Sequence, residues 1–261
     1  MNLVLHIGTE KTGTTSIQQF LKRNIDQLKR NGVYIPQTPM VGGGNHRWIP
    51  LFANNDSFSD DFIISQGFKS DEDRKERIFQ KRSQFIDECR NAPTICKTLI
   101  LTSEHFQSRL RSAEEIQRLR QLLEEVASKI LIIIYIRDPL KTAVSLLSTA
   151  IKSGGASASL PPPNQPYFES VCNHGQTIKR WQECFPDAEI VVRRFDRSLL
   201  QKGDIVIDFC SQLIDDFREE EYEFLKPSNE TLTLTGMALL RKLNLQFPCF
   251  VDEKPNPMRG Q

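Results

Sequence analysis

With 261 residues, 39% of them hydrophobic and 26% charged, the chain can bury one large core and lies among globular proteins rather than disordered ones. A formal net charge of +1 provides no global field for nucleic acid or an anionic membrane, so any anion must be held by a local arrangement of donors. A small partner is expected, and no nucleic acid. Cys89, Cys96, Cys172, Cys184, Cys210 and Cys249 include no C-x-x-C pair and do not interleave with histidine at metal-ligand spacing, which reads as reduced structural thiols in a cytoplasmic setting. "MNLVLHIGTEKT" has no basic leader, and "ILIIIYI" is too short to cross a bilayer, so neither a signal peptide nor an integral membrane segment is expected.

The apolar run "NLVLHI" ends at Gly8 and is followed by Ile17, Phe20, Leu21, Ile25 and Leu28 at helical spacing, which predicts strand, glycine loop, helix. A second strand is expected at residues 33 to 35, after the helix-terminating Gly32-type pattern in "NGVYIPQ". Residues 36 to 67 read as loop, with "VGGGNHRW" and "ANNDSFSDD", and a charged helix follows over 71 to 90. A long excursion of this kind, here about 36 to 95, is more often functional than idle.

"KTLILTSEHF" predicts a buried strand ending abruptly in polar residues, and "SAEEIQRLRQLLEEVA" an amphipathic helix opened by a Ser112/Glu115 capping box. "KILIIIYI" has the continuous apolar character of a central strand covered on both faces, and Pro139 suits the first turn of the next helix. "SGGASASLPPPNQP", about 153 to 166, reads as a flexible linker or lid. A helix near 174 to 184, a strand "AEIVVRRF", a helix near 203 to 215 and a final helix "LTLTGMALLRKLNLQF" complete the order. Strands alternating with helices predict an α/β fold of three layers, with a largely parallel central sheet and helices on both faces, organised as one domain over 1 to 261. Ligands of such sheets bind at the carboxyl ends of strands, and Lys11, Glu104 and Arg137 all follow such ends.

"GTEKTGTT" has the glycine spacing of a P-loop, but Thr14 stands where the phosphate-binding lysine belongs, and Lys11 lies three residues earlier. Backbone N–H groups of residues 12 to 16 and the hydroxyls of Thr12, Thr14, Thr15 and Ser16, around Gly13, can still receive a phosphate at the helix start. The missing lysine, and the absence of an obvious strand-terminal aspartate for magnesium, argue against an ordinary NTPase. The pattern by itself is also compatible with a tight strand-to-helix turn. A second pattern is "YIRDPLKTAVS", in which Arg137 and Ser145, eight residues apart, could meet one anionic group. Its alternative is a local Arg137-Asp138 pair with Ser145 as a polar helix residue.

"TEKTGTTS" followed by "RDPLKTAVS" resembles the two signatures of the sulfotransferases that use 3′-phosphoadenosine 5′-phosphosulfate, and "VVRRFDRSLLQKGDIVIDFCSQL" is similar to the strand and helix that follow in bacterial members. The resemblance leaves residues 36 to 95 and the extreme C-terminus uncovered. It implies a P-loop nucleotide-binding-like fold, with the first signature at the 5′-phosphosulfate and Arg137 and Ser145 at the 3′-phosphate. It also implies sulfuryl transfer to a hydroxyl of a carbohydrate or small-molecule acceptor, with no metal required. Lys11 would meet charge on the leaving phosphate. The family's base is histidine in some members and glutamate in others; Glu104 and His105 are both present, and "TSEH" is more similar to the glutamate-bearing bacterial pattern. His46 is a candidate acceptor contact, and Arg193, Arg194 and Arg259 are further candidates for the nucleotide. A nucleotide or small-molecule kinase with a degenerate P-loop, or an inactive nucleotide-binding module, are the alternative readings.

Overall fold

Five strands form one sheet in the order β2-β3-β1-β4-β5, and every neighbouring pair is parallel. They are β1 (Asn2–His6), β2 (Val33–Tyr34), β3 (Thr98–Thr102), β4 (Lys129–Ile136) and β5 (Glu189–Arg194). These features come from a computed structural model, which describes residues 1–55, 58–214, 216–224, 232–251 and 254–259. From β1 the chain runs to the sheet edge at β2 and returns to β3 between them, then crosses to β4 and β5 on the other side. The carboxyl end of β1 is therefore the point where the winding reverses, the position at which open parallel sheets form a crevice.

The middles of β1, β3 and β4 are apolar because both sheet faces are covered there. On one face Leu3, Leu5, Leu99, Leu101, Ile132 and Ile134 pack under Ile49, Phe85, Phe106, Ile116 and Trp181. On the other, Val4, Ile100, Ile133 and Tyr135 pack under Ile17, Phe20, Leu28 and Phe209. The period of two along each strand assigns successive side chains to opposite cores, and each fully buried Leu or Ile contributes about 1.5–3 kcal/mol. The result is the three-layer α/β architecture expected from the strand and helix order.

The chain divides into two compact units. The first comprises residues 1–136 and 173–225, and the second residues 137–172 and 226–261. The first holds the sheet and helices α1 (Thr14–Arg23), α2 (Ile25–Arg30), α3 (Trp48–Ala53), α4 (Asp61–Ser65), α5 (Asp71–Arg90), α6 (His105–Arg109) and α7 (Ala113–Glu124). The second holds α8 (Pro139–Lys152) and α9 (Pro166–Cys172), and the chain re-enters the first unit at α10 (His174–Cys184) and α11 (Ile205–Cys210). The second unit closes with α12 (Leu234–Gln246) and the short antiparallel pair β6 (Phe250–Val251) and β7 (Lys254–Pro255).

Helix α7 opens with the Ser112/Glu115 capping box, both reciprocal bonds being present. Pro139 occupies the first turn of α8 behind the Asp138 cap. The structure differs from the sequence reading in three places. Residues 36 to 67 contain α3 and α4, and together with α5 these bury Trp48, Leu51 and Ile63 in a satellite core. The linker is followed by α9, and the helix expected at 203 to 215 is confined to α11, capped by Asp204 through Val206 and Ile207 N–H. Among the described residues no helix is long and apolar enough to cross a membrane.

Candidate functional site

From His6 the chain crosses to α1 through a loop in which Gly8, Lys11 and Gly13 all have positive φ, at 59°, 66° and 80°. Gly8 is dictated by a close approach: a Cβ there would lie 2.9 Å from Glu104 Cα and 3.1 Å from Thr14 Oγ1. The loop is braced from inside. Thr12 Oγ1 donates to Thr9 O at 2.6 Å, and Thr9 Oγ1 donates to Tyr135 O on β4 at 2.7 Å. The Thr12 hydroxyl is thus committed to shaping the loop, which leaves its backbone for an anion.

Helix α1 begins without a side-chain cap, and Ser16 and Ile17 N–H turn back to Gly13 O. The N–H groups of Thr14 and Thr15 have no intrahelical acceptor, as at any helix start. Thr14 is buried, and its Oγ1 has no hydrogen-bond partner among the described residues, while Thr15 and Ser16 are exposed. An unmet buried hydroxyl beside unmet backbone donors is the donor set of an anion cradle. Lys11 occupies the left-handed region, which costs a residue with a side chain about 1–2 kcal/mol. Such strain is characteristic of residues placed for a task.

Glu104 follows β3 and stands against this loop. Its Oε2 accepts from Gln18 Nε2 of α1 at 2.9 Å and from Asn45 Nδ2 at 3.0 Å. Asn45 reaches it because Gly44, at φ 106°, lets the excursion touch α1: a Cβ on Gly44 would lie 2.4 Å from Gln18 O. Two neutral amides therefore fix one carboxylate oxygen and leave the other facing His105, whose Nε2 is 3.7 Å from Glu104 Oε1. That spacing is too long for a hydrogen bond. Burial, then the charges of Arg47 and Arg109, lower the His105 pKa to about 3, so the ring is neutral at physiological pH.

Behind these groups lies a charged cluster. Arg47 and Arg109 both pair with Asp60 Oδ2, Arg109 Nε at 3.1 Å, and the Arg47 guanidinium lies 4.9 Å from the centre of the Phe62 ring. Burial works to raise the Asp60 pKa, but Arg47, the Ile63 N–H and Arg109 outweigh it and hold the carboxyl below its usual range. Gln18, Asn45 and Arg47 carry no motif; the one sequence signal was the glycine-rich "VGGGNHR" that brings two of them to the site.

His46, from the same segment, is fully buried with Nε2 2.9 Å from Pro36 O and Nδ1 3.1 Å from the Thr102 nitrogen, which accepts no proton and so donates to the ring. Burial lowers its pKa to about 4. It ties the excursion to the end of β3 and has no nitrogen left for an acceptor. Arg193 forms a two-pronged pair with buried Asp208, which also accepts from Tyr135 Oη at 2.7 Å. Its guanidinium is committed to the core beneath α11, whereas Arg194 is exposed. In the second unit Arg137 immediately precedes Asp138, the α8 cap, and Ser145 lies on the partly buried side of α8. Arg259 donates to Asn244 Oδ1 and to Phe247 O, tying the last described residues to α12.

No protein-family model matches the chain. A protein of Archaeoglobus fulgidus described as uncharacterized is 29% identical over 146 residues, 56% of this chain, and the chain spans only 38% of that relative's length. The structure of a sulfotransferase from Alicyclobacillus acidocaldarius superposes with a TM-score of 0.51 and 17% identity, covering 86% of each chain. The PezAT toxin-antitoxin system of Streptococcus pneumoniae gives a looser match, with a TM-score of 0.39 and 14% identity over 94% of this chain and 86% of that one. The chain has the α/β fold of the Alicyclobacillus sulfotransferase, with the braced glycine loop at the carboxyl end of β1.

Proposed function

We propose that the protein is a sulfotransferase that moves the sulfuryl group of 3′-phosphoadenosine 5′-phosphosulfate to an acceptor hydroxyl. The observation that carries this reading is Glu104, a carboxylate fixed by Gln18 and Asn45 against the backbone of a phosphate loop whose lysine has moved into the loop. A triphosphate needs a cation following its terminal phosphates; a single 5′-phosphate that departs needs the cation at the loop, where Lys11 is.

The nucleotide supplies an activated sulfur with a phosphate leaving group. The residues fit it: the N–H groups opening α1 and the unmet Thr14 hydroxyl, with exposed Thr15 and Ser16 beside them, suit the 5′-phosphate. Arg137 and Ser145, by their pattern in the sequence, would take the 3′-phosphate. Glu104 accepts the proton of the acceptor hydroxyl. The acceptor oxygen bonds sulfur as the bond from sulfur to the 5′-phosphate oxygen breaks, and its electron pair stays on the phosphate, where Lys11 balances the charge. Glu104 is preferred to His105 as base because its carboxylate is held in place, whereas the His105 ring has its pKa lowered to about 3 and is a poor proton acceptor.

Thermal denaturation with nucleotides tests the reading. Adenosine 3′,5′-bisphosphate without magnesium should stabilise the protein by about 2.7 kcal/mol at a hundredfold excess over its Kd, and ATP should do much less. Equal shifts from both, or a strict need for magnesium, would favour a kinase.

A further inference from the structure

Among the described residues β5 ends the sheet with β4 as its one strand neighbour, so the other side of its backbone is an edge. Phe195 N–H donates to Ile136 O at 2.7 Å, and the alternation of a strand then turns the N–H and C=O groups of Val191 and Arg193 toward β4 as well. Those of Ala188, Ile190, Val192 and Arg194 point outward. Ile190 and Val192 have no backbone partner on that side among the described residues, and Val192 is 39% exposed. At each end of the row one group is already used: Ala188 N–H donates to Phe185 O at 3.2 Å, and Arg194 O accepts from Asp196 N–H at 2.9 Å. Edges that stay single are blunted by proline, a bulge or a charge in mid-strand, and the middle of β5, Ile190-Val191-Val192, has no proline and no charge.

This edge is complementary to itself. Two copies of β5 laid antiparallel about Val191 set Ile190 opposite the partner's Val192, and the outward groups of these residues close on one another as hydrogen-bonded pairs. The next pair, Arg194 opposite the partner's Ala188, needs only the Arg194 N–H and the Ala188 carbonyl, the two groups left free at the ends of the row. The side chains agree. Val191 meets the partner's Val191, and the exposed Glu189 carboxylate meets the partner's Arg193, whose side chain is 29% exposed beside Asp208. A register centred on Val192 would instead aim Ile190 N–H at the occupied Arg194 carbonyl and set Val191 against the partner's Arg193. We propose that the outer edge of β5 is a homodimer interface, through which two copies of this chain join into one continuous sheet in the register centred on Val191. The strands of the two halves run in opposite directions, so the two glycine loops lie at opposite borders of the joint sheet. Each candidate site is complete within one copy, and the dimer does not depend on the sulfotransferase reading.

Sedimentation velocity and cysteine cross-linking test the interface and its register. The wild-type protein should pass from monomer to dimer between about 1 and about 200 μM, the range of a small interface. Val192→Pro removes only an outward N–H, which an edge strand tolerates without loss of its ladder to β4. It should weaken dimerisation by about tenfold or more, with the urea midpoint of the dilute monomer little changed. Val191→Cys is the positive test, because opposed residues outside the hydrogen-bonded pairs have Cα atoms about 4.5 Å apart, within the span of a disulfide. Mild oxidation should link Val191→Cys chains as dimers through the introduced thiol, located by mass spectrometry of unreduced peptides, with the wild type giving the background from the native cysteines. Val192→Cys, which would face the partner's Ile190, should link at least about tenfold more slowly. The proposal is overturned if the wild type stays monomeric up to about 200 μM, if Val192→Pro dimerises as readily as the wild type, or if Val192→Cys links as fast as Val191→Cys.

Discussion

Gly8 and Glu104 touch through their backbones: a methyl group on Gly8 would lie 2.9 Å from Glu104 Cα, so the glycine loop and the candidate base share one rigid contact across β1 and β3. Gly8→Ala would meet both that contact and a φ of 59°. It should destabilise the protein by about 2–4 kcal/mol, read as a lower urea midpoint at unchanged m, with a loss of nucleotide binding larger than the stability change explains.

The amides that hold Glu104 separate positioning from chemistry. Glu104→Gln should lower kcat about 100-fold and leave bisphosphate affinity within a few-fold, whereas Gln18→Ala, which frees the carboxylate without removing it, should cost about 3- to 30-fold. A dead His105→Gln variant alongside an active Glu104→Gln variant would transfer the role of base to the histidine.

Lys11 offers a test that separates strain from function. Lys11→Gly relieves the left-handed backbone, so stability should hold or rise by up to about 1 kcal/mol despite the flexibility of glycine. On the proposed mechanism kcat should nonetheless fall about 100-fold, because charge on the departing phosphate would no longer be met. A variant that is both unstable and active would remove Lys11 from the mechanism.

Three histidines are kept neutral: burial lowers His6 to about 3, His46 to about 4 and His105 to about 3. Their unfolded values lie near 6.5, so between that pH and the folded pKa the unfolded chain binds more protons, and stability falls as pH falls. Urea unfolding between pH 6.5 and 5 should show a loss approaching three protons, with His6→Gln reducing the slope by about one. The carboxylates of Asp60 and Asp208, lowered by their arginine partners, act in the same direction at lower pH. A flat profile across this window would mean that the rings titrate normally in the folded protein.

The sequence by itself determined the elements whose signals are local. The run "ILIIIYI" specifies β4 because a strand buried on both faces has no polar positions, and Ser112 with Glu115 specifies the start of α7 because both partners lie within one turn. The helix over 71 to 90 has its Ser70 cap and its Asn91 end in the adjacent sequence. Helices α3 and α4 were not legible, since their apolar faces are short and gain their stability from the satellite core around Trp48 and Ile63. Only the tertiary structure decided what surrounds Glu104. Gln18 and Asn45 lie 86 and 59 residues from it, and Arg47 meets Asp60 and Arg109 from separate elements. Polar residues of this kind have no periodicity of their own. Their partners are set by strand order and by a glycine-permitted approach of two backbones, which no spacing along the chain records.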